Sequence, residues 1–270
     1  MKKILFYALL ITNCALLLAG CGGNKNLQDD AENDFEKLII GLDDAYPPFG
    51  FRDENNEIIG FDIDLANEVA DRIGVEIEFK GIDWNKKYEE LDAGLIDVIW
   101  SGFNITPERE EHVIFTKPYM LNRQVILVAK GNKPGIVTAS DLAGKVVGTQ
   151  LSSPADDFIN KDKELKDSFA KLVTYDNYKH AFEALSKGEV EAIVCDELVV
   201  RYEMSRHHDK FETVEATIGT VTEIGVGFRK KDTALRDRVQ SALDEIIKDG
   251  TAEKISEEWF QADLIRTHIR

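Results

Sequence analysis

Apolar positions along this chain fall into short runs and helical stripes that take turns. Lys37–Leu42 (KLIIGL) is an apolar run of strand length. In Phe61–Ile73 the residues Leu65, Val69 and Ile73 recur at every fourth position, a stripe that one helix face would bury, and Gly74 supplies a left-handed stop. Val75–Phe79 alternates like a strand, Tyr88–Ala93 reads as a helix ending at Gly94, and Ile96–Trp100 as a buried strand. Strand and helix in alternation predict βαβ units and a mainly parallel sheet.

The same order returns further on. Lys145–Thr149 and Lys171–Tyr175 read as strands, Asn177–Lys187 as a helix ending at Gly188, and Ala192–Cys195 as a strand. Leu91 to Ile99 (LDAGLIDVI) and Leu185 to Ile193 (LSKGEVEAI) share one spacing of helix end, glycine stop and buried strand. Two α/β lobes of similar build are expected, with chance likeness of two αβ units as the plainer alternative. Gln124–Ala129 (QVILVA) is a strand-like link ending in the turn cluster Lys130 to Gly135, and Glu223–Arg229 (EIGVGFR) is a second. Leu235–Ile247 and Ala252–Phe260 read as terminal helices. With two crossings the second lobe becomes an insertion. Residues 37–125 and 224–270 then form lobe one, 130–219 lobe two, and 126–129 and 220–223 the crossings.

The N-terminus follows a different pattern. Lys2 and Lys3 precede an apolar run, Ile4 to Leu18, that is broken only by Thr12 and Asn13 and is short for a membrane span of about 20 residues. Leu18-Ala19-Gly20-Cys21 closes it. This resembles a bacterial lipoprotein signal, in which residues 1–20 are removed and Cys21 is acylated; an ordinary signal peptide with a chance cysteine is the alternative. Residues 21–36, the lipidated Cys21 and a polar, acidic stretch, read as a flexible tether. The folded part would then be lipid-anchored to the cell membrane on its outer side. Cys14 leaves with the signal, so Cys195 has no partner for a structural disulfide.

Composition narrows the function. The 270 residues are 43% hydrophobic and 31% charged, enough to bury a core. Against 33 Lys and Arg stand 50 Asp and Glu, a formal net charge of −17. A chain this acidic, with no basic cluster, is a poor partner for nucleic-acid phosphates or anionic headgroups.

Several segments stand in a telling order: Gly41-Leu-Asp43-Asp44-Ala-Tyr46-Pro47-Pro48-Phe49, Gly60-Phe61-Asp62-Ile-Asp64-Leu65, and Ile96-Asp97 through Ser101-Gly102-Phe103-Asn104 to Thr106 and Arg109. Val147-Gly148-Thr-Gln150-Leu-Ser152-Ser153, Cys195-Asp196-Glu197 and Gly225-Val-Gly227-Phe228-Arg229 follow. The set resembles the polar-amino-acid family of extracytoplasmic solute-binding proteins of ABC importers. The likeness implies a two-lobed periplasmic-binding-protein fold, two Rossmann-like lobes joined by two hinge strands. It implies a free amino acid, polar or basic, as ligand and a membrane permease with its ATPase as partner. It also implies a monomer without cofactor, metal or catalysis.

The residues suit that ligand. A free amino acid is a zwitterion, so its site needs a cation for the carboxylate and an anion for the ammonium. Arg109 can grip a carboxylate with both arms of its planar fork. Asp196, at the carboxyl end of its strand, can accept the ammonium, because ligands of open α/β sheets sit beyond those ends. Ser101 holds the corresponding end in the other lobe, so the two would face each other across a cleft. The resemblance adds hydrogen bonds from Ser101, Gly102, Phe103 and Asn104, aromatic walls from Tyr46 and Trp84, and contact between Asp43 and the ligand side chain. Other readings stay open: Asp196 as the N-cap of a helix at Glu197, Asp43 as a loop cap, Tyr46 as loop packing, Trp84 as core and Arg109 as surface. Relatives often carry Gly-Ser-Thr after Gln150; this chain has Leu151-Ser152-Ser153-Pro154. Proline has no N–H, which leaves Ser153 as the lobe-two donor.

Two rivals remain. An enzyme on this scaffold, cyclohexadienyl-dehydratase-like, would need a general acid or base beside the bound carboxylate. His112, His180, His207, His208 and His268 lie outside the matched segments, and adjacent His207-His208 lacks metal-ligand spacing. No Gly-x-Ser-x-Gly elbow or phosphate loop occurs. A ligand-sensing subunit of a signalling receptor is the second rival, disfavoured by the lack of a kinase or channel segment.

Overall fold

A computed structural model describes residues 37–133, 135–207 and 209–266. The expected signal (1–20), Cys21 with the tether (21–36), His208, and residues 267–270 with His268 lie outside the described residues.

Two sheets carry the fold. The first runs Glu76–Gly81, Lys37–Leu42, Val98–Ile99, Gly227–Arg229, Val113–Phe115; the second runs Lys171–Tyr175, Val146–Gln150, Ala192–Asp196, Met120–Ala129, Phe211–Ile224, Asn104–Ile105. In each, one strand lies between two parallel neighbours: Lys37–Leu42 in the first, Val146–Gln150 in the second. The strands beyond are antiparallel. This is the expected two-lobed α/β architecture.

The internal repeat survives at the level of single hydrogen bonds. Gly94 (φ 71°) and Gly188 (φ 73°) are both left-handed stops after their helices. The Asp97 carboxylate accepts the Ile39 N–H at 3.1 Å, and the Glu191 carboxylate accepts the Val146 N–H at 3.0 Å. In both halves an acid after the glycine stop pins the strand that runs beside it.

The helix Phe61–Ile73 has the expected bounds, and Gly74 ends it by donating its N–H to the Ala70 carbonyl. Phe61, Leu65 and Val69 are buried, and the helix packs on Thr233–Lys248 and Thr251–Phe260. Each such side chain contributes about 1.5–3 kcal/mol.

The crossings need correction. Residues 126–129 lie inside the second sheet, where Ile126 and Leu127 pair with Val194 and Ile193. Residues 220–223 belong to the strand Phe211–Ile224 of the same sheet. After Asn104–Ile105 has visited the edge of the second sheet and the chain has returned to the first at Val113–Phe115, the long passages between sheets run at 116–119 and again at 225–226. The run Glu223–Arg229 is accordingly two strands separated by Gly225 and Val226. Backbone bonds tie the passages together: Thr116 N–H to Val226 at 3.0 Å and Tyr119 N–H to Ile224 at 2.9 Å.

Candidate functional site

Four strand ends converge. Asp43 follows Lys37–Leu42, Ser101 follows Val98–Ile99, Gln150 ends Val146–Gln150 and Asp196 ends Ala192–Asp196. The repeat therefore extends to the site: the two strands flanked by parallel neighbours deliver Asp43 and Gln150, which bond to each other at 2.7 Å. A small, narrow cavity lies between the sheets, lined by Asp43, Tyr46, Trp84, Ser101, Gly102, Asn104, Arg109, Gln150, Ser153, Pro154 and Asp196.

Arg109 sits on the short helix Pro107–His112, which Thr106 caps. It is 1% exposed, and its guanidinium lies 4.8 Å over the Phe103 ring. It donates to the carbonyls of Asn104 and Ser152, each at 3.1 Å, the second across the cleft. No carboxylate lies within ion-pair distance of it among the described residues. Phe103 itself is buried behind the cavity wall, so its contact is with Arg109 and not with the cavity.

Asp196 stands at the N-cap position of Glu197–Arg206, yet its side chain makes no capping bond. The carboxylate turns into the cleft, where it accepts from Tyr46 Oη at 2.7 Å, from Gln124 Nε2 at 2.9 Å and from Asn122 Nδ2. Tyr46, in a small sheet with Gly50–Arg52 and Ile58–Ile59, stacks on Phe49 and Tyr178. Burial keeps its phenol protonated and therefore a donor.

Asp43 caps its loop, as one reading expected, and also lines the cavity. One oxygen accepts the Ala45 N–H at 3.0 Å and caps the loop; the other faces the cavity and accepts from Gln150. Burial pushes its carboxyl above the usual range. The Ser101 hydroxyl accepts the Asp43 N–H at 3.2 Å. Gly102 has φ 55°, and a Cβ there would lie 2.8 Å from the Tyr46 and Phe49 rings, so only glycine fits this approach. Asn104 is tied in place: its amide donates one bond to Gly102, and its oxygen accepts from Asn122 and Thr222.

Trp84 meets Phe103 edge to face and borders the cavity. Behind it the buried Lys87 ammonium lies 5.1 Å from the ring and donates to the Trp84 carbonyl at 3.2 Å. Burial, helped by the Arg109 charge, lowers it to about 8. Ser153 caps Pro154–Lys161 by accepting the Asp156 N–H at 3.2 Å, and its own N–H goes to Gln150. Pro154 is the first residue of that helix, where a missing N–H is harmless.

Sequence reasoning left out Gln150, Asn122 and Gln124. All three are buried amides in strands whose other buried positions are mostly apolar, which is the signal that could have found them. A larger groove beside Tyr202 and Trp259 lacks such convergence; its Glu197 is already paired with Arg123 and Arg201.

The arrangement sets the Arg109 cation, without an ion-pair partner among the described residues, opposite two buried carboxylates at the junction of two α/β halves. Such a site suits a small solute carrying both charges. Residues 38–262 match the family model of bacterial extracellular solute-binding proteins, family 3, and the chain belongs to that family. It works outside the cytoplasm. It is 32% identical over 229 residues to the L-cystine-binding protein TcyJ of Escherichia coli K12, covering 85% of this chain and 84% of TcyJ. A substrate-binding protein of an ABC uptake transporter from Streptococcus pneumoniae, solved with bound histidine, is 32% identical with TM-score 0.81, covering 86% of this chain and 95% of that one. An ancestral amino-acid-binding protein described as a precursor of cyclohexadienyl dehydratase is 35% identical with TM-score 0.76, covering 83% and 96%.

Proposed function

We propose that this protein captures a free polar or basic L-amino acid between its two halves and delivers it to the permease of an ABC importer. The observation that carries the reading is Arg109, a buried guanidinium without a carboxylate partner among the described residues, facing Asp196 across one cavity. The ligand carboxylate pairs with Arg109 and its ammonium with Asp196; Tyr46 and Trp84 flank the side chain. The halves close by bending at 116–119 and 225–226. Ligand holds the closed form only by its higher affinity for closed over open. A thermal-shift screen of the common L-amino acids with L-cystine tests this. A ligand at about 100 times its dissociation constant stabilises by roughly 2.7 kcal/mol. A screen with no shift removes the reading.

The protein acts as a monomer and transforms nothing. None of the described histidines lines the cavity, and Asp43 and Asp196 are occupied as acceptors. Incubation with cyclic acids such as arogenate should leave them intact; turnover would support the dehydratase alternative. ATP hydrolysis belongs to the importer.

Asp43 selects the side chain. A carboxylate in a desolvated cleft disfavours a second one by several kcal/mol. Glutamine should therefore bind more tightly than glutamate, and arginine more tightly than citrulline. Asp43→Asn should flatten both differences while the α-group contacts persist. Wild-type preference for glutamate in a calorimetric competition would overturn this role.

Anchoring rests on Leu18-Ala19-Gly20-Cys21. With residues 1–20 removed and Cys21 acylated, the chain is lipid-held and residues 22–36 give it reach. Cys21→Ser should move the protein out of the membrane fraction; retention after a high-salt wash rules lipidation out.

A further inference from the structure

Asp62 stands on the first turn of Phe61–Ile73 and is 1% exposed. It lies behind the cavity wall, outside the binding residues proposed above. One carboxylate oxygen accepts the Gly102 N–H at 2.6 Å, and the other accepts the Tyr119 O–H at 2.7 Å. Gly102 is the tightly packed turn of the cavity lining, pressed onto Tyr46 and Phe49. Tyr119 belongs to the passage at 116–119; its N–H bonds Ile224 beside the passage at 225–226, and its carbonyl accepts the Arg266 N–H at 2.8 Å. A single carboxylate thus grips the cleft with one oxygen and the crossing with the other.

We propose that Asp62 is a positioning residue that couples the cleft to the crossing and makes ligand affinity depend on its charge. As a carboxylate it accepts two strong bonds. On protonation the proton settles on the oxygen facing Tyr119, because a phenol can rotate to accept and an amide N–H cannot. Gly102 then donates to a neutral oxygen, a bond about half as strong. The cleft lining loses its register, and the ligand is held less tightly.

The surroundings place this change within reach. Burial raises the Asp62 carboxyl to about 7 against the bonds from Gly102 and Tyr119; the Trp100 indole lies nearby, and its N–H has no hydrogen-bond partner among the described residues. Burial also keeps the Tyr119 phenol protonated. No charged side chain is among the groups that shift Asp62. Asp64, two residues on, is engaged by the Trp259 indole at 2.7 Å.

Asp62→Asn reproduces the protonated form: its oxygen faces Gly102 and its NH₂ faces Tyr119. Because the folded carboxyl sits above its unfolded value, ionised Asp62 lowers stability as pH rises from about 4 to about 7. The variant should therefore melt no lower than wild type at about pH 8, so lost affinity there is not lost fold. In ¹⁵N-labelled wild type the Gly102 amide resonance should titrate with a midpoint near 7, and in Asp62→Asn it should be flat. The affinity arm rests on the proposed amino-acid function and uses whichever L-amino acid, or L-cystine, gives the largest melting shift. Wild-type affinity should fall about threefold to tenfold from about pH 8 to about pH 5.5, towards a constant value in Asp62→Asn. If no amino acid shifts melting, the amino-acid reading fails and the Gly102 titration still decides the role of Asp62. A Gly102 resonance that ignores pH, or an affinity profile unchanged in Asp62→Asn, overturns the proposal.

Discussion

Arg109→Ala should lower amino-acid affinity by at least about 2 kcal/mol, a factor of roughly 30, while the protein stays folded. The guanidinium has five donors, and the protein uses two, on the carbonyls of Asn104 and Ser152. The remaining donors fit the two oxygens of a carboxylate. A buried cation without an anionic partner stabilises the fold little, so its removal should shift ligand-free melting by a few degrees at most. The ligand-induced shift should vanish. Arg109→Lys should recover only a small part of the affinity, because a point charge lacks the planar fork and loses the stack on Phe103. Calorimetry showing Arg109→Ala within a factor of about three of wild type would take Arg109 out of the site.

Much of the fold was legible because its signals are local. The helix Phe61–Ile73 and the strands Lys37–Leu42 and Lys171–Tyr175 have the bounds their patterns predict. The repeat of Leu91–Ile99 in Leu185–Ile193 marked two similar halves before any pairing was known. The crossings were not legible. Val125–Ala129 is apolar throughout, and whether such a run joins two lobes or lies within one depends on its partner, here Ala192–Asp196. The strand Phe211–Ile224 was missed save its end, because register shifts after Val214 and Ile218 break its period. The charged residues around the cavity were visible through motif and charge. The amides that orient them were not, since Gln150 and Gln124 gain meaning only from carboxylates 107 and 72 residues away.

Asp196 carries the other large expected effect, and its surroundings make that effect separable from folding. Its carboxylate accepts three donors, from Tyr46, Gln124 and Asn122. Two come from the strand Met120–Ala129 beside it and one from the opposite half. The oxygens of both amides lack a hydrogen-bond partner; the carboxylate orients Gln124, and together with the Asn104 oxygen it orients Asn122. A ligand ammonium would bond to an anion already aimed and held. Asp196→Asn keeps volume but removes the charge and turns an NH₂ group toward at least one existing donor. Affinity should fall by about 2–5 kcal/mol, since the ammonium is left without its anion. Tyr46→Phe deletes one bond and leaves the charge, so its effect should be nearer 1 kcal/mol. The double variant should be less impaired than the sum, because Tyr46 and Asp196 share one bond. Melting without ligand should fall in Asp196→Asn by a few degrees, as donors in the strand lose an acceptor. If calorimetry finds the α-ammonium bound with near-normal affinity in Asp196→Asn, the carboxylate serves to join the two halves and the ammonium is held elsewhere, with Asp43 the next acid on the cavity wall.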